Sequence, residues 1–201
     1  QGNGIMVTAS HNPISDNGIK WIVLFEPPCP DKIQQVAQDA NQFIKNQKDP
    51  FKVQTELIFD VKKSQYNHVI NLELCQSYQK AMLEDIQLKH PFKVVLDGLN
   101  GSAGACAALV LKKMGCEVIA LRCQANGHFP DHAPDPSQSA HLGKMKQQIM
   151  LHQADLGIAL DGDGDRVVLV DETGKIISAD RLLSLFAQMC LQSYPGQDIV
   201  F

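Results

Sequence analysis

Two short apolar runs, Leu156-Gly-Ile-Ala-Leu160 and Val167-Val-Leu-Val170, flank the hexapeptide Asp161-Gly-Asp-Gly-Asp-Arg166. Their length and branched content predict strands, so the hexapeptide reads as the loop between two strands. Three carboxylates alternate with two glycines, which lets their oxygens converge on one hard cation while the backbone bends freely. The expected ion is Mg²⁺. Counted from Asp161, acids at the first, third and fifth positions and Glu172 at the twelfth imitate a calcium hand. That motif needs glycine at its sixth position, where this chain has Arg166, and helices rather than strands on both sides. Arg166 also sets the loop apart from a solvated acidic turn, because a cation beside a carboxylate-bound metal suits an anionic ligand such as a phosphate.

The remaining pattern alternates strand and helix. Ile5 to Thr8 and Ile19 to Phe25 read as strands around the turn-rich segment Ala9 to Gly18, and Asp31 is the expected cap of a helix carrying Ile33, Val36, Ala37, Ala40, Phe43 and Ile44 on one face. Lys45 to Gln65 is weakly patterned and reads as a linker. A helical pattern over Asn67 to His90 leads to a strand at Lys93–Asp97, a loop to Gly104, a helix from Ala105 to Met114 closed by Gly115, and a strand at Val118–Leu121. Ser137 is the expected cap of a helix reaching His152. Beyond the acidic loop come a turn at Asp171-Glu-Thr-Gly174, a strand at Lys175–Ile177, a helix Arg181–Ser193 capped by Asp180, and a last strand after Pro195-Gly196. This order predicts consecutive three-layer α/β/α domains with mixed, mostly parallel sheets. The divisions fall at residues 1–66, 67–173 and 174–201.

At 201 residues, 44 % of them apolar, the chain can bury sizeable cores. A formal charge of −4 without a basic stripe speaks against nucleic acid. There is neither an apolar run of membrane-spanning length nor a leader pattern, so no membrane partner and a cytoplasmic location are expected. Cys29, Cys75, Cys106, Cys116, Cys123 and Cys190 show no metal-ligand spacing and read as free thiols, with Cys106 and Cys190 on apolar helical faces. Both ends look cut inside strands, as in an interior segment of a longer protein. Oligomeric state is not readable from the sequence.

A second constellation is Thr8-Ala-Ser-His-Asn-Pro13. A serine on a tight loop just past a strand, followed by Asn-Pro, is held and exposed as a nucleophile or phosphate carrier must be; taken alone, the loop reads more simply as a turn capped by Ser10 and Asn12. Together the serine loop and the triple-Asp loop resemble the α-D-phosphohexomutase superfamily. The likeness extends through Asp16-Asn-Gly-Ile-Lys20, Val95-Leu-Asp-Gly-Leu-Asn-Gly101, His128-Phe-Pro-Asp-His-Ala-Pro-Asp-Pro136 and Asp180-Arg-Leu-Leu-Ser-Leu-Phe-Ala187. The last two stretches look like the bacterial phosphomannomutase/phosphoglucomutase branch, whereas Asp16 to Lys20 is closer to the phosphoglucosamine mutases.

The resemblance implies an intramolecular phosphotransferase that interconverts hexose 1-phosphates and hexose 6-phosphates of mannose and glucose. It makes Ser10 the phosphoserine and makes Asp161, Asp163 and Asp165, with a phosphoserine oxygen at Ser10, the Mg²⁺ ligands. Lys20 would serve proton transfer or charge stabilisation, His11 and Arg166 would address phosphate, and Asn12 would shape the loop. A hexose 1,6-bisphosphate is the implied intermediate and activator. Substrate-contacting residues would lie mostly in third and fourth domains beyond this segment, so the segment alone is expected to be inactive. The alternatives are a phosphoglucosamine mutase and a metal-binding α/β module without catalysis.

Gly98, Gly101 and Gly104 lack the spacing of a dinucleotide fingerprint and suggest close strand-to-helix packing. His128 and His132 lie among prolines, which predicts an extended loop rather than a metal pair. His68, His90, His141 and His152 default to helix surface.

Overall fold

The computed structural model describes residues 2–46 and 72–200. The chain divides into two compact units, Gln1–Val7 with Ile19–Gln76, and Thr8–Gly18 with Ser77–Phe201. In the first, β1 (Gly4–Val7) and β2 (Ile19–Ile22) pair antiparallel with Val7 opposite Ile19. The second strand is shorter than its apolar run suggests. Leu24 and Phe25 take left-handed φ values of 54° and 67°, and the Leu24 N–H donates to Asn3 Oδ1 at 2.8 Å. A tight turn closed by a Val23–Glu26 bridge therefore ends the strand.

Helix α1 spans Pro30–Asn46 and starts on Pro30 instead of being capped by Asp31. Proline suits the first helical position, where no N–H is needed, and the Ile33 N–H donates to Cys29 O at 3.2 Å. Asp31 sits in the first turn, where its charge favours the helix dipole. Helix α2 (Leu72–Asp85) stops five residues before His90, and the expected linker beyond Asn46 and the expected helix start at Asn67 lie outside the described residues.

The second unit is built on a five-stranded mixed sheet in the order β4-β3-β5-β6-β7, comprising β3 (Lys93–Asp97), β4 (Glu117–Leu121), β5 (Leu156–Leu160), β6 (Val167–Asp171) and β7 (Ile176–Ile177). β3 pairs parallel with β4 and β5, whereas β5–β6 and β6–β7 are antiparallel. The chain moves from β3 out to β4 through α3 (Gly104–Lys113) and back past β3 to β5 through α4 (Gly143–His152). Right-handed crossovers in opposite directions put these helices on opposite faces, the three layers expected. Val95, Leu142, Met145, Ile149, Ala154, Ala159 and Val170 form the core beneath α4.

Four local expectations are corrected. The segment before α4 is a 3₁₀ turn at Ser139–Leu142 with Gln138 at its cap position, and the Ser137 hydroxyl instead donates to Asp135 Oδ1 at 2.7 Å. Helix α5 runs Ala179–Ser193 with Ser178 at the cap position, leaving Asp180 inside the first turn. Residues 197–200 form no strand. Cys190 is exposed, and Cys116 is the buried thiol. Among the described residues no helix is long and apolar enough to cross a membrane.

Glycines 98 and 104 do pack strand to helix. A Cβ on Gly98 would lie 2.9 Å from Gly104 Cα, and one on Gly104 would lie 2.8 Å from Cys123 Cα. Gly101 serves another purpose, since its Cβ would meet Gly162 O at 2.7 Å and Asp161 O at 2.8 Å. The loop after β3 is thereby pressed onto the backbone of the acidic loop, where the Ser102 N–H donates to Gly162 O at 2.9 Å.

Candidate active site

β5 and β6 are adjacent antiparallel strands with Leu160 opposite Val167, so Asp161–Arg166 is the loop of a hairpin. Gly164, at φ 78°, takes the left-handed turn conformation, and its N–H donates to Asp161 O at 3.2 Å. The Asp161 side chain turns back and accepts the Arg166 N–H on Oδ1 at 3.0 Å. One oxygen from each of Asp161, Asp163 and Asp165 lies within 4.8 Å of the others. Three hard oxygens so arranged could hold a divalent cation such as Mg²⁺.

The serine loop belongs to the same unit. It is closed at its neck by Thr8 N–H donating to Gly18 O at 2.9 Å, and Asn12 N–H donates to Ala9 O at 3.0 Å. Ser10 itself sits at φ 55°, a conformation rare for a residue with a side chain and found where a loop is held for function. Its Oγ is 3.0 Å from both Asp161 Oδ2 and Asp163 Oδ1. Only glycine fits at position 162, because a Cβ there would fall 2.0 Å from Ser10 O. The two loops therefore meet backbone to backbone, with the hydroxyl among the carboxylates.

Arg166 and His11 complete the cluster. Arg166 NH1 lies 3.2 Å from His11 Nε2, and His11 Nδ1 lies 3.5 Å from Ser10 Oγ. A guanidinium can only donate, so Nε2 is the acceptor and the ring proton belongs on Nδ1, facing the serine. Asn12 is exposed and shapes the turn through its backbone. Lys20 is an exposed residue of β2, opposite Met6 in the hairpin unit.

Burial pushes the Asp161 carboxyl above the usual carboxylate range, and Asp163 and Asp165 push the same way against the hydrogen bonds from Arg166 N–H and Ser10 Oγ. An acid whose pKa is raised on folding costs stability that accrues as pH climbs from the unfolded toward the folded value and stays lost above it. At pH 7 and without metal, Asp161→Asn should therefore raise Tm. The gain should vanish below about pH 4, where both states are protonated. Mg²⁺ should stabilise the parent protein by about 2.7 kcal/mol at 100 times its Kd and leave Asp161→Asn almost unmoved, as thermal melts with and without Mg²⁺ can check.

A group that no sequence pattern marked supports the site from behind. Arg122, just past β4 at φ 45°, uses all five guanidinium N–H groups. Nε donates to Asp97 Oδ1 at 2.9 Å and NH2 to Asp97 Oδ2; NH2 also reaches His141 O at 3.1 Å, and NH1 reaches Asp131 Oδ2 at 3.3 Å and His132 Nε2. Asp97 is fully buried at the end of β3. The His132 and His141 rings stack 3.9 Å apart at 9°, so these histidines are structural and His141 is not free helix surface. This hub fixes the proline-rich loop whose Pro134 would contact a Cβ on Gly162 at 3.0 Å.

With the geometry in place, the comparisons with known proteins decide the family. Two domain models match, the phosphoglucomutase/phosphomannomutase α/β/α domain I over residues 2–46 and domain II over residues 76–174. The chain belongs to the α-D-phosphohexomutase superfamily. It is 38 % identical over 199 residues to a phosphomannomutase/phosphoglucomutase of Pseudomonas aeruginosa, which covers 99 % of this chain and 39 % of that protein. A phosphoglucomutase of Neisseria meningitidis is 34 % identical over 200 residues, covering 100 % of this chain and 40 % of that protein. Among solved structures, a phosphoglucomutase/phosphomannomutase family protein from Burkholderia thailandensis superposes with a TM-score of 0.76 at 32 % identity, over 96 % of this chain and 39 % of that one. The phosphohexomutase chain thus spans about two fifths of the length of the relatives it matches.

Proposed function

We propose that this chain carries the phosphoserine and the metal loop of a phosphomannomutase/phosphoglucomutase that interconverts mannose and glucose 1-phosphates with their 6-phosphates. The observation that carries the reading is Ser10 Oγ at 3.0 Å from two carboxylates of a three-Asp cluster. A hydroxyl placed there is suited to carry a phosphoryl group, and a bare acidic patch would have no use for it. Phosphoserine Ser10 gives its phosphoryl group to the free hydroxyl of a hexose phosphate; the Ser10 O–P bond breaks as the new O–P bond forms. The bisphosphorylated sugar then reorients and returns its other phosphate to Ser10. Asp161, Asp163, Asp165 and a phosphoserine oxygen would hold Mg²⁺, which when bound would offset the charge on the transferring group. His11 directs Nδ1–H at the Ser10 oxygen, and Arg166 fixes that tautomer while adding positive charge. Lys20 is assigned proton transfer or charge stabilisation at the attacked hydroxyl.

The same reading divides the chain into the end of a first domain (1–66), a second domain (67–173) and the start of a third (174–201), with the sugar read by further domains. It implies activation by hexose 1,6-bisphosphate and a cytoplasmic location. Full-length protein with Mg²⁺ and a trace of hexose 1,6-bisphosphate should turn over mannose and glucose 1-phosphates. Turnover of glucosamine 1-phosphate alone would make the protein a phosphoglucosamine mutase, and no turnover of any of the three would leave a metal-binding module.

A further inference from the structure

Thr8 is a residue of the serine loop to which the mutase reading gives no task, yet its side chain, like those of Ser10 and His11, ties that loop to the acidic one. Its Oγ1 donates to Asp163 Oδ2 at 3.1 Å and accepts the Ser10 N–H at 2.9 Å. Asp163 uses its other oxygen, Oδ1, for the Ser10 hydroxyl at 3.0 Å. Ser10 backbone, Thr8 hydroxyl, Asp163 carboxylate and Ser10 Oγ thus close a ring.

Each link has a physical consequence. A hydroxyl has one proton and two lone pairs, so Thr8 can serve as donor and acceptor at once, which neither valine nor alanine can. Its hold on the Ser10 N–H fixes a residue at φ 55°, a conformation that an unsupported loop would leave. Its bond to Oδ2 pins the rotation of the Asp163 carboxylate and turns Oδ1 toward the serine. Partners of this kind, one step removed from a metal ligand, typically change metal affinity 10- to 100-fold when removed.

We propose that Thr8 is a positioning residue that sets the register between the Ser10 hydroxyl and the Asp163 carboxylate, and so prepares both the metal ligand set and the nucleophile. The inference rests on the mutase reading for its catalytic consequence and on the loop geometry for its binding consequence. It predicts that the two loops are locked together before any substrate arrives.

The test uses full-length protein and Mg²⁺ as the probe, with Thr8→Val removing the hydroxyl at nearly constant shape, Thr8→Ser keeping it and Thr8→Ala as a second removal. Calorimetry well below Tm should show Mg²⁺ Kd raised about 10- to 100-fold in Thr8→Val and Thr8→Ala, with Thr8→Ser within about threefold of the parent. In steady-state assays kcat should fall for the same two variants with KM for the hexose phosphate unchanged, because the Thr8 hydroxyl is spent on Asp163 and the Ser10 N–H. Protection of the Ser10 amide from hydrogen exchange in the unmodified protein provides a check that needs no variant. An unprotected Ser10 amide, an unchanged Mg²⁺ Kd in Thr8→Val, or a Thr8→Ser protein as impaired as Thr8→Val would overturn the proposal. A parent protein that binds Mg²⁺ but never acquires phosphate on Ser10 would instead sink the mutase reading, and the Kd comparison would still judge Thr8.

Discussion

Replacing Ser10 with alanine is expected to lower hexose phosphate interconversion by at least about 10⁴-fold and to abolish the covalent phosphoprotein formed with hexose 1,6-bisphosphate. The effect is large because no neighbour can stand in. His11 Nδ1 is 3.5 Å from the serine oxygen but faces it as a donor, and the carboxylates around it are the expected cation ligands. The alanine protein should still fold, since Ser10 is only half-buried and its Oγ bonds only to the side chains of the cluster. It should also still bind Mg²⁺ through the three carboxylates. Mass spectrometry of the intact protein after incubation with the bisphosphate reads the result directly. Phosphate retained on the alanine variant would place the nucleophile elsewhere.

The largest loss of stability is expected at Arg122. Arg122→Met strips the partner from Asp97, a carboxylate with no solvent exposure, and should cost about 3–5 kcal/mol in urea unfolding. The same change removes the Arg122 bonds to Asp131, His132 and the His141 carbonyl, so the loop that abuts Gly162 keeps only the Lys144–Asp131 contact and the His132–His141 stack of this hub. Most of the cost is the orphaned charge, not the missing bonds. Adding Asp97→Asn to Arg122→Met should therefore recover roughly half of the loss, because the amide can still accept the Leu99 N–H that Asp97 Oδ1 accepts at 3.2 Å. A double variant as unstable as Arg122→Met alone would mean that the guanidinium's bonds, rather than charge burial, dominate.

These two predictions rest on features of very different visibility in the sequence. Ser10 and the three aspartates are legible because each loop concentrates its chemistry in consecutive residues and is bracketed by apolar strands. The strands at 93–97, 156–160 and 167–171 are legible for a related reason, their apolar runs being short and bounded by turn residues. Arg122 is not legible. Its five bonds go to four residues spread between Asp97 and His141, and no periodicity announces such a set. Helix starts failed where two signals competed: Ser137 prefers the nearby Asp135 carboxylate to the helix amides, and Pro30 opens α1 one residue before the acid that looks like a cap. Thr8 lay inside a recognised motif, but its role needs the fold, because Asp163 is 155 residues away along the chain.

That separation has a consequence for the order in which the protein comes into being. Ser10 leaves the ribosome long before Asp161, its partner 151 residues later. Contacts so remote in sequence form late, after the local helices and the sheet that must bring them together. Until then Ser10 is an ordinary serine on a short loop, with neither carboxylates to order a cation nor Asp163 to set its hydroxyl. The serine loop thus gains its carboxylate partners only when the β5–β6 hairpin closes and sets Asp161 and Asp163 beside Ser10.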